Sequence, residues 1–338
     1  MKAAIIQEAG RLEIREFPVP KPNAWQALVR MDVVGVCSAT DRKLVHGTKP
    51  FAPAYPALLG HESVGTVVEL GKRVKAYAVG DRVLRPCALY PGQSAEGISS
   101  AWGSFCEYGL VTDLETWREE EPEGDHARFS YARMQNKVPA DWTAEQACLL
   151  ITWKETYSSL TQTGEMAGKD IAVWGDGAVG LSFVAWARAL GAASIFVIGR
   201  RDFRLERARA LGATAICNIR DGGKFAGGRD FDVVVDTLGC DANIAQSLPR
   251  LRPRGVFGVY GTDSFETTFD RSFGPASWSY VQANPDEAGV HDEVVGRLSD
   301  TPFDPAQWIT FRGGIDDLPA AFTHLETPES VKAVITFS

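Results

Sequence analysis

The chain has 338 residues, of which 45% are apolar, 23% charged and 10% aromatic. Such proportions bury a sizeable core and exclude a chain that is mainly disordered, collagenous or coiled-coil. Its 35 Lys and Arg face 43 Asp and Glu, a net charge of −8, and an acidic surface argues against binding to nucleic acid or an anionic membrane, where phosphate contacts need a basic face.

At about 150 residues per domain the length suggests two domains. No apolar run approaches the ~18 residues of a membrane helix. The N-terminus reaches Glu8 and Arg11 before any long apolar stretch, so no secretory signal is expected. Cysteines stand at 37, 87, 106, 148, 217 and 240 with no CxxC pair. They read as free thiols in the cytoplasm, most of them small buried hydrophobes.

In chain order, the first hundred residues read as short strands. ALVRMDVVGVC (27–37) and SVGTVVEL (63–70) are rich in β-branched residues. Gly60, Gly65, Gly71 and Gly80 and prolines at 18, 20, 22, 50, 53 and 56 punctuate them. That texture predicts a compact β domain, a barrel more than a bundle. REEEPEGDHAR (118–128) reads as a surface loop or insertion. The wider stretch 112–137, with Trp117, Phe129 and Tyr131 among charges, is long for a turn. It reads either as a functional cover or subunit contact, or as a mobile insertion.

From about residue 148 the texture changes. IAVWG (171–175), SIFVIG (194–199), FDVVVDTLG (231–239) and VFGVYG (256–261) are apolar strand candidates. LSFVAWARAL (181–190) and RLERARALGA (204–213) between them read as helices. The alternation predicts a parallel sheet covered on both faces. A helix in DDLPAAFTHL and a strand in VKAVITF close the chain.

Gly175-Asp176-Gly177-Ala178-Val179-Gly180 fits GxGxxG between a strand and a helix spanning 178–190. Gly175 permits the turn, Gly177 the approach of a pyrophosphate, and Gly180 close helix–strand packing. The helix N-terminus at Ala178 and Val179 offers free N–H groups to the phosphates. At the end of the second strand Gly199 stands where an NAD site usually places an acid, and Arg200 and Arg201 follow. Two arginines without that acid suit the 2′-phosphate of NADP. Asp202 is the counter-candidate, three residues past the expected position.

Three β-domain segments carry the sharpest signal: Gly35-Val36-Cys37-Ser38-Ala39-Thr40-Asp41, Gly60-His61-Glu62-Ser63-Val64-Gly65 and Val79-Gly80-Asp81-Arg82-Val83. A thiolate, an imidazole and a carboxylate together suit Zn²⁺, and three protein ligands leave one position for substrate. With the glycine turn and the domain order, these segments resemble the zinc-dependent medium-chain dehydrogenase/reductase family, in its alcohol, polyol and sugar dehydrogenase branch, over essentially the whole chain.

The resemblance implies a GroES-like β-barrel catalytic domain (1–148 and 291–338) and a doubly wound Rossmann domain (149–290), with zinc, substrate and nicotinamide in a cleft between them. It implies Cys37 and His61 as zinc ligands, Glu62 as alternate ligand or neighbour, and Asp41 as the acid orienting His61. Thr40 matches the hydroxyl that shuttles the substrate proton, although it lies three residues after the cysteine instead of two; Ser38 is the weaker candidate, and His46 reads as a surface residue. The family's third ligand position falls at Ile151 or Thr152, neither a good zinc ligand, so Glu155, at i+4 from Ile151, is the candidate.

The four closely spaced cysteines of a structural zinc are missing, which implies one catalytic zinc per chain. Trp102 and Trp153 read as cleft lining or core. The expected enzyme is an NADP-dependent zinc alcohol dehydrogenase acting on a small polar alcohol or ketone, a polyol, sugar or cyclitol, and forming a homodimer or homotetramer. The alternatives are a metal-free enone or quinone reductase of the same superfamily, against which Cys37 with His61 counts, and a non-catalytic NADPH-binding protein.

Overall fold

The computed structural model describes the chain except for residues 49–53, 224, 226–229, 262–265 and 338. Pro50 and Pro53, read above as turn signals, lie outside the described residues. Two units emerge, Met1–Ile151 with Asp304–Ser338, and Thr152–Phe303. No helix among the described residues is long and apolar enough to cross a membrane.

The first unit is built on two sheets. Its longest strand, Gln26–Val36, is buried along most of its length, as its run of apolar residues requires. One edge pairs antiparallel with Glu62–Leu70. The other edge is shared by Tyr108–Thr112 against its first half and Lys332–Thr336 against its second. Ile309–Gly313 and Arg82–Leu84 complete this six-stranded sheet. The second sheet runs Arg11–Glu16, Lys2–Glu8, Ala57–Leu59, Ile98–Ala101, Ser94–Ala95. Val34, Val36, Ala333 and Ile335 pack with Ile6, Leu59, Leu318 and Leu325 in a shared core. The architecture is a GroES-like β fold.

The second unit is a six-stranded sheet, parallel throughout. Its order is Ala215–Asn218, Ser194–Gly199, Asp170–Trp174, Phe231–Asp236, Leu251–Val259, Trp278–Gln282. Numbered within the unit, that is 3-2-1-4-5-6, the Rossmann order. Val173, Val234 and Val197 are fully buried, as strands covered on both faces must be. The order reverses beside Asp170–Trp174, and the crevice at that switch point is where such sheets hold ligands.

Two expectations change. The chain returns to the first unit at Asp304, not at residue 291. The helix His291–Asp300 belongs to the second unit because it buries Val294 and Leu298, bonds Tyr157 through Glu293, and lays Arg297 over the Tyr157 ring at 5.6 Å.

Residues 118–128 stay at the surface with a turn at 121–125, but the stretch 112–137 as a whole is mostly helical. It folds into a helix, Leu114–Glu120, and a 3-10 segment, His126–Met134. Asp113 caps the helix through Thr116 N at 3.1 Å and accepts Lys75 N and Ala76 N on its other oxygen at 2.7 and 2.8 Å. Trp117 stacks on Trp25 at 5.4 Å and meets His126 and Phe129 edge-on, each at 5.0 Å.

Removing a buried Trp costs about 3–5 kcal/mol through lost burial and the cavity left behind. Trp117→Ala should therefore lower stability by about that amount in a denaturant titration. A midpoint within error of the parent chain would mean the segment is not part of the core.

Candidate functional site

Cys37 and His61 are 24 residues apart in sequence, and the sheet brings them together. Gly35 pairs with Glu62 in the antiparallel register, so Cys37 just past one strand faces His61 just before the other. One ligand atom from each of Cys37, His61 and Glu62 lies within 4.8 Å of the others. The His61 Nε2 to Glu62 Oε1 distance is 3.8 Å. A tetrahedral zinc with bonds of about 2.0–2.3 Å has ligand–ligand edges of about 3.3–3.8 Å, and the His61–Glu62 separation matches such an edge.

His61 is turned for this task by Asp41. The fully buried Asp41 places Oδ1 3.0 Å from His61 Nδ1, an ion-pair approach and not an aligned hydrogen bond. Its Oδ2 accepts Cys37 N at 2.9 Å. One carboxylate thus holds both residues and leaves Nε2 facing Glu62, as a carboxylate behind a metal-binding histidine would. Burial disfavours the His61 imidazolium, but Asp41 and then Cys37 outweigh it and hold the ring well above its usual range. Thr40, the first residue of helix Thr40–His46, donates its N–H to Cys37 Sγ at 3.4 Å. Ser38 is exposed, and so is His46.

Lys332, from the strand Lys332–Thr336, pairs with Glu62 Oε2. Both side chains are almost wholly buried, and an unpaired charge there would cost several kcal/mol. Burial works to raise the Glu62 carboxyl, yet Lys332, then His61 and Arg85, bring it below the usual carboxylate range. Gly35 makes room for the pair, since a Cβ there would lie 2.7 Å from Glu62 Oε2 and 3.1 Å from both Lys332 Cε and Cys148 Sγ. Burial and Glu62 push the neighbouring Cys148 thiol up to about 12.

The backbone under His61 is also held. Gly60 has φ +111° and faces the Phe105 ring and backbone at 2.7 Å from any added Cβ, so only glycine fits. Arg85, buried and at φ 56°, donates to the His61 carbonyl at 2.7 Å. Tyr131 O–H donates to the same oxygen at 3.3 Å. Trp102, at φ 65°, sets its ring 5.5 Å from that of His61. Trp153 is buried in the second unit against Phe303.

Glu155 is not in the cluster. It belongs to the second unit, and its Oε2 accepts the Tyr260 hydroxyl at 2.8 Å. Among the described residues, the group that could hold a metal is Cys37, His61 and Glu62.

In the second unit, Gly175 has φ +117°, and a Cβ there would stand 2.0 Å from Thr237 Oγ1. A Cβ on Gly180 would lie 2.0 Å from the Gly175 carbonyl, so the helix Ala178–Ala189 can approach the strand only with glycine there. Gly177 precedes that helix and adds no side-chain cap, and a helix N-terminus suits an anion. Gly199 is buried, Arg200 exposed and Arg201 half-buried. Asp202 bonds Asn218 Nδ2 at 2.7 Å.

Residues 23–118 match the alcohol dehydrogenase GroES-like domain and residues 178–277 the zinc-binding dehydrogenase domain. An alcohol dehydrogenase from Cupriavidus necator is 31% identical over 288 residues, 78% of either chain. The sorbitol dehydrogenase of Bacillus subtilis is 30% identical over 275 residues, 78% of this chain and 76% of its own. The solved alcohol dehydrogenase from Thermus sp. ATN1 superposes with a TM-score of 0.81 over 99% of both chains, at 23% identity. The chain belongs to the zinc-type medium-chain dehydrogenase/reductase family and is an oxidoreductase.

Two outcomes follow from this geometry. Gly35→Ala should lower bound zinc measured by elemental analysis, because its methyl group displaces the Glu62–Lys332 pair; a full metal complement would show that the pair has slack. Zinc must also displace the proton that His61 holds, so its apparent affinity should rise with pH in a competition titration. An affinity flat across the His61 titration would remove the imidazole from the site.

Proposed function

We propose that this protein is an NADP-dependent, zinc-dependent alcohol dehydrogenase that interconverts a small polar secondary alcohol and its ketone, of the polyol, sugar or cyclitol class. The observation that carries the reading is the convergence of Cys37, His61 and Glu62 within 4.8 Å, a donor set with the softness and geometry of catalytic zinc. The sorbitol dehydrogenase relative supports the polyol class.

When bound, zinc would supply Lewis-acid polarisation of a substrate oxygen and the nicotinamide the hydride chemistry. The protein's own groups do the rest. Cys37, His61 and Glu62 would hold the single metal. Asp41 fixes the face of His61, and Lys332 offsets the negative charge of Glu62. Thr40 would relay the proton of the substrate hydroxyl, accepting it while its own hydroxyl proton passes to solvent, to which this half-buried residue is open. Gly175, Gly177 and Gly180 cradle the pyrophosphate with the N–H groups of Ala178 and Val179. Gly199 withholds a carboxylate while Arg200 and Arg201 receive the 2′-phosphate. The six free thiols suit a reducing compartment, and the proposed setting is a cytoplasmic homodimer or homotetramer.

The test is an NADP⁺-linked oxidation screen over polyols, sugars and cyclitols, with zinc measured on the same preparation. Turnover with about one zinc per chain is expected; full activity in a metal-free preparation would end the zinc reading. Cys37→Ala or His61→Ala should remove metal and turnover together. Asp41→Asn should weaken zinc binding about 10- to 100-fold. Thr40→Val should keep the metal and lower kcat about 10²- to 10⁴-fold, the range for a lost acid–base group. Glu155→Gln should leave zinc content unchanged, since its carboxylate serves Tyr260; loss of the metal would restore Glu155 to the coordination set.

A further inference from the structure

The glycine turn carries a charge that its pattern does not require. Asp176 lies between Gly175 and Gly177, and its side chain turns to the end of the neighbouring strand Ser194–Gly199. Its Oδ2 accepts Arg200 N at 2.7 Å and Arg201 N at 2.8 Å. The same carboxylate fills the space beside Gly199, where a Cβ would lie 2.6 Å from Oδ2. A carboxylate at this place would ordinarily suit a ribose 2′-hydroxyl. Here one oxygen is engaged by two backbone donors, and the other, Oδ1, lies 3.8 Å from Arg204 Nη1.

Arg204 stands in the first turn of the helix Asp202–Leu211. A cation there faces the positive end of the helix dipole, and only 11% of its side chain is exposed. Burial first, and Arg201 second, push its guanidinium down to about 10. Charge is thus concentrated where the fold disfavours it, an arrangement that Asp176 eases and that an anion would relieve further. The position is specific: a Cβ on Gly177 would lie 3.7 Å from Arg204 Nη1. The guanidinium therefore rests against the glycine that admits the cofactor phosphates. Arg200, Arg201 and Arg204 together outweigh Asp176 by two positive charges.

We propose that Arg204 is a specificity-determining residue that binds the adenosine 2′-phosphate of the cofactor, held beside Gly177 by Asp176. Arg204 completes a three-arginine pocket with Arg200 and Arg201, and the planar fork of its guanidinium matches phosphate oxygens. This inference rests on the NADP reading above.

The test uses calorimetric titration of the full chain with two probes, 2′,5′-ADP and 5′-AMP, in the parent protein, Arg204→Gln and Arg204→Lys. The parent should prefer 2′,5′-ADP. Arg204→Gln should weaken 2′,5′-ADP about ten- to a hundredfold, the worth of one charge-assisted bond, and leave 5′-AMP unchanged. Arg204→Lys, which keeps the charge and loses the fork, should fall between. A preference untouched by Arg204→Gln, or equal losses for both probes, overturns the role of Arg204 while the parent's preference keeps the NADP reading. A parent protein with no preference overturns both. Should Arg204→Gln fail to fold by circular dichroism, Arg204→Lys decides alone, and parental discrimination in it overturns the proposal.

Discussion

The antiparallel register that sets Gly35 opposite Glu62 is the constraint on which the metal-type cluster depends. A slip of one residue along Gln26–Val36 would exchange the faces of every side chain. Cys37 and the Glu62–Lys332 pair would then no longer share a side. The register is secured by bulges between Leu28 and Val29 and between Met31 and Val33, and by the Val34 and Val36 core contacts. The convergence of Cys37, His61 and Glu62 is therefore a consequence of strand pairing.

Around that register the first unit gathers charges in a buried setting. Asp41, Glu62, Arg85 and Lys332 are each nearly inaccessible to solvent. Asp41 contacts His61 and Cys37, Lys332 pairs with Glu62, and Arg85 holds the His61 carbonyl. Buried ion pairs of this kind contribute little net stability and are costly to break. Their return here is orientation: the low dielectric that makes them costly also stiffens the ligands they hold. The aromatic segment around Trp117 takes part, because Tyr131 within it reaches the same carbonyl.

Motifs with fixed local geometry were readable from sequence. The glycine turn, the alternation of strand and helix, and the Cys37 and His61 segments all depend on neighbours close in the chain or on a spacing that chemistry restricts. Short elements escaped: Ala215–Asn218 has four residues, and Trp278–Gln282 lacks a continuous apolar run. Partners set by tertiary approach escaped as well. Lys332 in VKAVITF is an ordinary strand lysine until Glu62 faces it. Asp176 occupies a variable position of its motif, and its link to Gly199 exists only once two parallel strands lie side by side. Helical spacing alone puts Glu155 forward, and the Tyr260 hydroxyl that it meets is a partner such spacing does not show.

The pairing of Glu62 with Lys332 has a consequence for the order of folding. The cation that balances Glu62 lies 270 residues further along the chain, and all of the second unit, Thr152–Phe303, is synthesised in between. Until the strand Lys332–Thr336 docks, one edge of Gln26–Val36 is half open and the carboxylate beside His61 lacks its counter-charge. The contact is strongly non-local, and such contacts form late. On the ribosome the nucleotide-binding unit can complete itself from contiguous sequence, as domains generally do. The unit that starts first must wait for the other to be finished before its own centre can close.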